Sequence, residues 1–151
     1  MMRFSRKLTH AVEAVLDIAY NASNTPVQSK DIAERQGVPR RYLEQVLQQL
    51  VRADILRGVR GPRGGYRLAR ERRRIALGEV VKVVAEMERA EAEAEPECGS
   101  ELGKRVLTPI WQDLENEAVQ RLDGITIEDL CRKARDAGIE GNGPKRADYA
   151  I

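Results

Sequence analysis

At 151 residues the chain is long enough for one core domain and an accessory element. A third of its residues are charged, and no stretch approaches the ~18 apolar residues of a membrane span. Arg3, Arg6 and Lys7 are followed by no apolar run, so neither a signal peptide nor a membrane partner is expected, and the predicted location is the cytoplasm. Two cysteines, Cys98 and Cys131, are too few for a secreted disulfide framework. The net charge of +2 averages two unlike halves. Residues 1–75 carry 16 Lys and Arg against 7 Asp and Glu, and residues 76–151 carry 10 against 17. The basic half predicts a polyanion partner. The acidic half would be repelled by one and is expected to serve dimerisation or sensing.

Ser5 is placed to cap a first helix ending near Asn21, with Leu8, Val12, Val15, Leu16 and Ala19 as its buried stripe. Asn21 to Val27, with Pro26, reads as a loop. Ser29 would cap a short helix over Lys30–Gln36, stopped by Gly37 in a left-handed conformation. Pro39 suits the first turn of a third helix reaching about Ala53. Tyr42, Leu43, Val46, Leu47 and Leu50 give that helix a core face and leave Arg40, Arg41, Glu44, Gln45, Gln48 and Gln49 outside. Helix, glycine turn and helix in this span is the helix–turn–helix layout.

Ile55-Leu56 leads into Val59–Leu68, two short apolar and basic runs around a Gly- and Pro-rich turn. That pattern predicts a β-hairpin with arginines on both arms and at the tip. A basic hairpin directly after a helix–turn–helix reads as the wing of a winged-helix DNA-binding domain. Arg70–Arg74 is a charged connection, and Ile75 to about Glu88 is helical with Val80, Val83, Val84 and Met87 apolar. Glu88–Glu97 is an acidic low-complexity run. Glu101–Leu122 reads as a long amphipathic helix with Leu102, Val106, Ile110, Leu114 and Val119 on one side. Thr126 caps a last helix from Ile127 to about Ala137, and the tail from Gly138 to Ile151 is expected to be disordered.

The fold class is therefore mainly α with a small β-hairpin wing: a winged helix–turn–helix domain plus a long dimerisation helix. The expected division is a DNA-binding domain over 1–88, an acidic linker or sensor loop over 89–100, dimerisation helices over 101–137 and the tail over 138–151. A long amphipathic helix beyond so small a domain is most economically covered by a second copy of the chain.

In order along the chain, Met2-Arg3-Phe4-Ser5 with Ala11-Val12-Glu13-Ala14, Ile32–Val38, Tyr42–Leu47, Val59–Tyr66, Ile75–Val80, Trp111 and Ile125–Leu130 resemble the winged-helix transcriptional regulators of the Rrf-two type. The resemblance covers about residues 2–137. It implies a homodimer, paired through the long helix from about Glu101, that represses or activates promoters at pseudo-palindromic operators; a repressor is the expectation. It also implies that Arg60 enters the minor groove, where a narrow A·T segment deepens the negative potential.

A helix N-terminus with free N–H groups suits phosphate, which points to Ser29 and Lys30. Arg40 and Arg41 lie in the first turns of the recognition helix, where a guanidinium can grip guanine O6 and N7. Glu44 would accept from a cytosine amino group or exclude other bases, and Gln45 and Gln48 are candidate adenine readers, the alternative for either being a solvent-facing side chain. Tyr42 packs or touches phosphate. Arg63 and Arg67 are expected on the DNA backbone, and Gly61, Gly64 and Gly65 would let the wing tip approach closely.

Cluster-binding members of the resembling family carry three cysteines before the long helix. Here that loop holds only Cys98, with Val106 at a cysteine position and Pro109 where a histidine ligand can stand. A conventional iron–sulfur cluster is not expected. An unconventional one would have to be shared between subunits, with Cys98 and His10 as sensor candidates. Cys98 alone is a second redox candidate, opposed by the surrounding glutamates, which disfavour its thiolate. Cys131 reads as a small core residue. A small molecule or partner protein on the acidic half is the third option. One histidine, no nucleophile motif and no phosphate loop argue against an enzyme. The rival class is a protein-interaction module without DNA binding, which the retained arginines oppose.

Overall fold

The computed structural model describes residues 4–92 and 99–142. Helix α1 (Arg6–Asn21) begins where the Ser5 side chain accepts from the Leu8 amide at 3.1 Å. Its buried face is Ala11, Ala14, Val15, Ile18 and Ala19. That differs from the expected stripe, because α1 has two apolar faces: alanines let the core elements approach closely, while Leu8, Val12 and Leu16 line a shallow groove on the other side.

Helix α2 (Ser29–Gln36) is capped by the extended backbone of Gln28, not by Ser29. The Ser29 hydroxyl has a partner on the next helix and so makes no local cap. Gly37 closes α2 at φ 66°, its amide reaching back to Ala33 and Glu34 as the C-cap requires. Helix α3 (Arg40–Arg52) follows, with Pro39 at the cap and Leu43, Val46, Leu47 and Leu50 buried.

Strands β1 (Leu56–Val59) and β2 (Gly65–Leu68) form the hairpin, pairing Leu56 with Leu68 and Val59 with Gly65. Val27 joins β2 from its free side, with Val27 N–H donating to Tyr66 O at 3.0 Å and Tyr66 N–H to Val27 O at 2.7 Å. The two glycines beside the turn serve the protein itself. A Cβ on Gly64 would lie 2.2 Å from Val59 O, and one on Gly65 would lie 2.4 Å from Val27 O.

A 3₁₀ turn (Arg72–Arg74) leads to α4 (Leu77–Ala92). The expected long helix runs from Glu101 to Asp123 but includes a π-helical stretch, Gly103–Leu107, before α5 (Thr108–Asp123). Pro109 explains it. Proline has no N–H for the carbonyl four residues back and its ring crowds that carbonyl. Thr108 N–H and hydroxyl both bond Gly103 O instead.

Helix α6 (Ile127–Asp136) starts with a reciprocal capping box between Thr126 and Asp129. Sequence grouped α6 with the dimerisation helices, yet Ile127 and Cys131 are fully buried in one core with Ile18, Ile32, Leu43, Leu47, Leu50, Ile55 and Ile75. Contrary to the expected disorder from Gly138 on, residues 138–142 are tied to α1: the Tyr20 hydroxyl donates to Ile139 O, and Asn142 N–H reaches Asn21 Oδ1 at 3.3 Å. Residues 143–151 lie outside the described residues. Among the described residues, no helix is long and apolar enough to cross a membrane.

Candidate nucleic-acid interface

A cleft of about 530 Å³ opens between the start of α3 and the wing. The helix side supplies Gln28, Ser29, Arg40, Glu44 and Gln48; the wing supplies Gly58 to Pro62 and Gly64 to Tyr66. Three residues singled out separately from sequence meet here. Arg40 Nε donates to Glu44 Oε1 at 2.8 Å and to Ser29 Oγ at 3.3 Å, and Ser29 Oγ donates to Glu44 Oε1 at 3.0 Å. Arg40 bonds through Nε, so its two terminal nitrogens still form a donor fork beside the Glu44 acceptor.

Ser29 is only 5% exposed and its hydroxyl is turned into this network. The first backbone N–H groups of α2 have no partner within the helix, and the Lys30 side chain beside them is exposed. Lys30, Arg41, Arg60 and Arg63 are all exposed and carry no hydrogen bond or ion pair among the described residues. Gln45 and Gln48 are exposed on α3.

Tyr42 packs. Its ring meets His10 edge-on at 5.9 Å, and burial raises its pKa. His10 Nδ1 lies 3.0 Å from Gln36 Oε1, and Gln36 Nε2 donates to the His10 carbonyl. The chain's one histidine thus ties α1 to α2 and α3. Arg67 also departs from expectation. Its Nη1 and Nη2 donate to Ser23 O and Asn24 O at 3.0 and 2.7 Å, so it grips the loop before α2.

Sequence reasoning missed Tyr66, which lines the cleft. Burial pushes its phenol pKa up, the Glu44 charge adds to this, and the Gln48 amide and Arg40 oppose it. The signal was available: strand alternation sets Tyr66 on the face opposite Arg67. Arg57 is likewise exposed on β1.

Cys98 lies outside the described residues. Cys131 is fully buried beside Arg72 and Glu128, and burial pushes its thiol pKa up, which suits an inert core residue. Among the described residues no three His, Cys, Asp or Glu side chains converge as a metal site. The donor chemistry does not fit a conventional cluster either. With Cys131 in the core, Cys98 is the one thiol left, and Val106 and Pro109 carry no ligand atom.

A model of the Rrf2 family, described as an iron-dependent transcriptional regulator, matches residues 4–133. The chain is 36% identical to the HTH-type transcriptional regulator IscR of Cronobacter sakazakii, over 99% of this chain and 96% of that protein. It is 40% identical to IscR of Aliivibrio salmonicida, over 85% and 77%. Among solved structures it superposes on T. potens IscR with a TM-score of 0.69 at 33% identity, covering 90% of each chain. It also superposes on CymR, the global cysteine regulator of B. subtilis, with a TM-score of 0.65 at 27% identity, covering 88% and 98%. These relatives are regulators, not enzymes.

Proposed function

The chain belongs to the Rrf2 family of transcriptional regulators, and from that premise we propose that it is a cytoplasmic homodimer that represses promoters at a pseudo-palindromic operator. The first turns of α3 read the major groove and the wing reads the minor groove. The observation that carries this reading is the α3–wing cleft, flanked by four exposed cations without a partner among the described residues, Lys30, Arg41, Arg60 and Arg63. Exposed cations gathered on one edge beside a groove-sized cleft are matched to phosphates and guanine edges. The Arg40–Glu44 pair offers a donor fork beside an acceptor. That set complements a G·C pair, whose major-groove edge shows two guanine acceptors and a cytosine donor. Gln45 and Gln48 suit adenine, and Arg60 suits a narrow minor groove.

The dimer is supported by the outward face of α5 and the turn before it. Leu102, Val106, Leu107, Ile110, Trp111 and Leu114 are between 42% and 74% exposed. A groove of about 410 Å³ walled by Phe4, Leu8, Val12, Leu16, Leu77, Val81 and Leu122 offers a matching apolar surface. Apolar area of this extent on a monomer calls for a partner, and self-complementary pairing supplies one. We further propose that the regulator works without a conventional iron–sulfur cluster, on the donor set described above.

Selection from a randomised duplex library, followed by salt titration, tests the reading. The expected result is enrichment of inverted half-sites ~34–36 Å apart or a multiple of that spacing, with affinity falling steeply as salt rises. No enrichment and a flat salt response would establish an interaction module without DNA binding. Absorbance and iron assay on anaerobically purified protein test the cofactor statement. A colourless, iron-free dimer that binds the selected site supports it, and stoichiometric iron with bands between about 320 and 450 nm overturns it.

A further inference from the structure

A hairpin of two four-residue strands is marginal by itself. Yet the proposed reading, on which this inference rests, requires the wing to stand at a fixed distance from α3 so that both grooves are read in register. Three features fasten the wing. The Val27–Tyr66 pair of backbone bonds joins β2 to the segment before α2. Gly65 lets the Val27 carbonyl come closer than any side chain would allow. Arg67 holds two successive carbonyls, Ser23 O and Asn24 O, with two terminal nitrogens of one planar group.

Strand alternation directs Arg67 away from the face on which Tyr66 lines the cleft. Its guanidinium therefore serves the back of the wing. The carbonyls it holds sit in an exposed loop that, among the described residues, is otherwise joined to β2 by backbone bonds at Val27. We propose that Arg67 is a positioning residue for DNA recognition: it clamps the loop between α1 and α2 to β2 and so fixes the wing, and Arg60 at its tip, before DNA arrives. Pre-ordering matters because a loose wing must be immobilised on binding, and that ordering subtracts from specific affinity.

A phosphate contact and a clamp are separated by salt dependence. Removing a phosphate contact lowers the log–log salt slope by about 0.9, and removing a clamp leaves the slope intact. The experiment compares wild type, Arg67→Ala, Arg67→Lys and Arg63→Ala on the operator selected by the wild type and on random duplex. Amide exchange at Val27, Tyr66 and the core residue Leu47 is followed in the free proteins.

For Arg67→Ala the expected result is a threefold to tenfold loss of operator affinity, in the range set by ordering a few groups. Random-duplex affinity and salt slope are unchanged, and exchange is faster at Val27 and Tyr66 but not at Leu47. Arg67→Lys, which keeps the charge but cannot span two carbonyls, shows the same exchange signature and covers the case in which the alanine variant fails to fold. A reduced slope with unchanged exchange, or full rescue by lysine, overturns the proposal. If the wild type discriminates no operator, the DNA reading fails, and the exchange comparison in free protein still decides whether Arg67 clamps the wing.

Discussion

The α3–wing edge and the outward face of α5 are both unsatisfied, in opposite ways. Along the first, Lys30, Arg41, Arg60 and Arg63 stand without partners among the described residues while the apolar residues beneath are fully buried. Along the second, acidic and apolar residues share the surface and the large apolar side chains face outward. Unpaired charge in water is inexpensive and selects a charged partner. Exposed Leu, Ile and Trp are unfavourable in water and select an apolar partner. The comparison teaches that one small core supports two surfaces whose deficits are of different kinds, so damage to one should leave the other intact while abolishing the joint function.

The largest expected effect comes from the apolar side. Ile110→Asp sets a charge in the middle of the exposed stripe, and the dimer should dissociate to a folded monomer in sedimentation velocity. Operator affinity should then fall by roughly 10²–10⁴, the advantage of holding two half-sites at once, while the unfolding midpoint of the winged core stays near that of the monomer's own fold. An Ile110→Asp protein that remains dimeric would break the comparison. On the charged side, Arg60→Ala should weaken operator binding by about 1–3 kcal/mol and relax sequence preference at the minor-groove positions. Dimerisation should be unchanged. Equal affinity at low and high salt would remove Arg60 from the interface.

Local backbone requirements are legible in the sequence, whereas side-chain hydrogen bonds to distant partners are not. Gly37, the Thr126 cap and the Gly-Pro turn each express a local backbone requirement, and each stands where the pattern put it. Ser29 looked like a cap because serine before a helix usually is one. Its hydroxyl instead meets Glu44, 15 residues on. Arg67 looked like a phosphate contact because it lies on a basic hairpin, but its acceptors are backbone carbonyls 43 and 44 residues back. Carbonyls carry no sequence signature, so nothing in the composition of the loop announces them. The apolar faces of α1 were indistinguishable for a related reason: periodicity marks a face as apolar without saying which neighbour covers it. The cleft itself was legible only in parts, since the Ser29–Arg40–Glu44 network depends on how α2 and α3 cross.

Two smaller changes sharpen the contrast between fold and function. Gly65→Ala puts a methyl group against the Val27 backbone at a φ of 156°, and the expected loss is about 1–3 kcal/mol, a drop in Tm of roughly 5 °C. Gly58→Ala, across the ladder from Tyr66 with nothing within 4 Å, should be nearly silent and serves as its control. If both behave alike, the close approach of Val27 does not govern the wing.

The smallest effect is confined to acid. Glu79 caps α4, accepting from the Ala76 amide at 2.8 Å and from Arg70 at 2.8 Å. Burial pushes its pKa up, but the Arg70 hydrogen bond and the Ala76 amide outweigh burial and hold it below the ordinary value. A carboxylate depressed in the folded state adds stability that is complete above its unfolded pKa and is lost as pH falls through the folded one. Glu79→Gln should therefore lower stability near neutral pH and flatten the acid limb of the stability curve, so that the two proteins converge below the ordinary carboxylate range. Since the Glu79 contacts lie within the core-supporting frame and touch neither the cleft nor the α5 stripe, operator affinity and dimerisation at neutral pH should both be unchanged. A change in either would show that the two surfaces are coupled through α4.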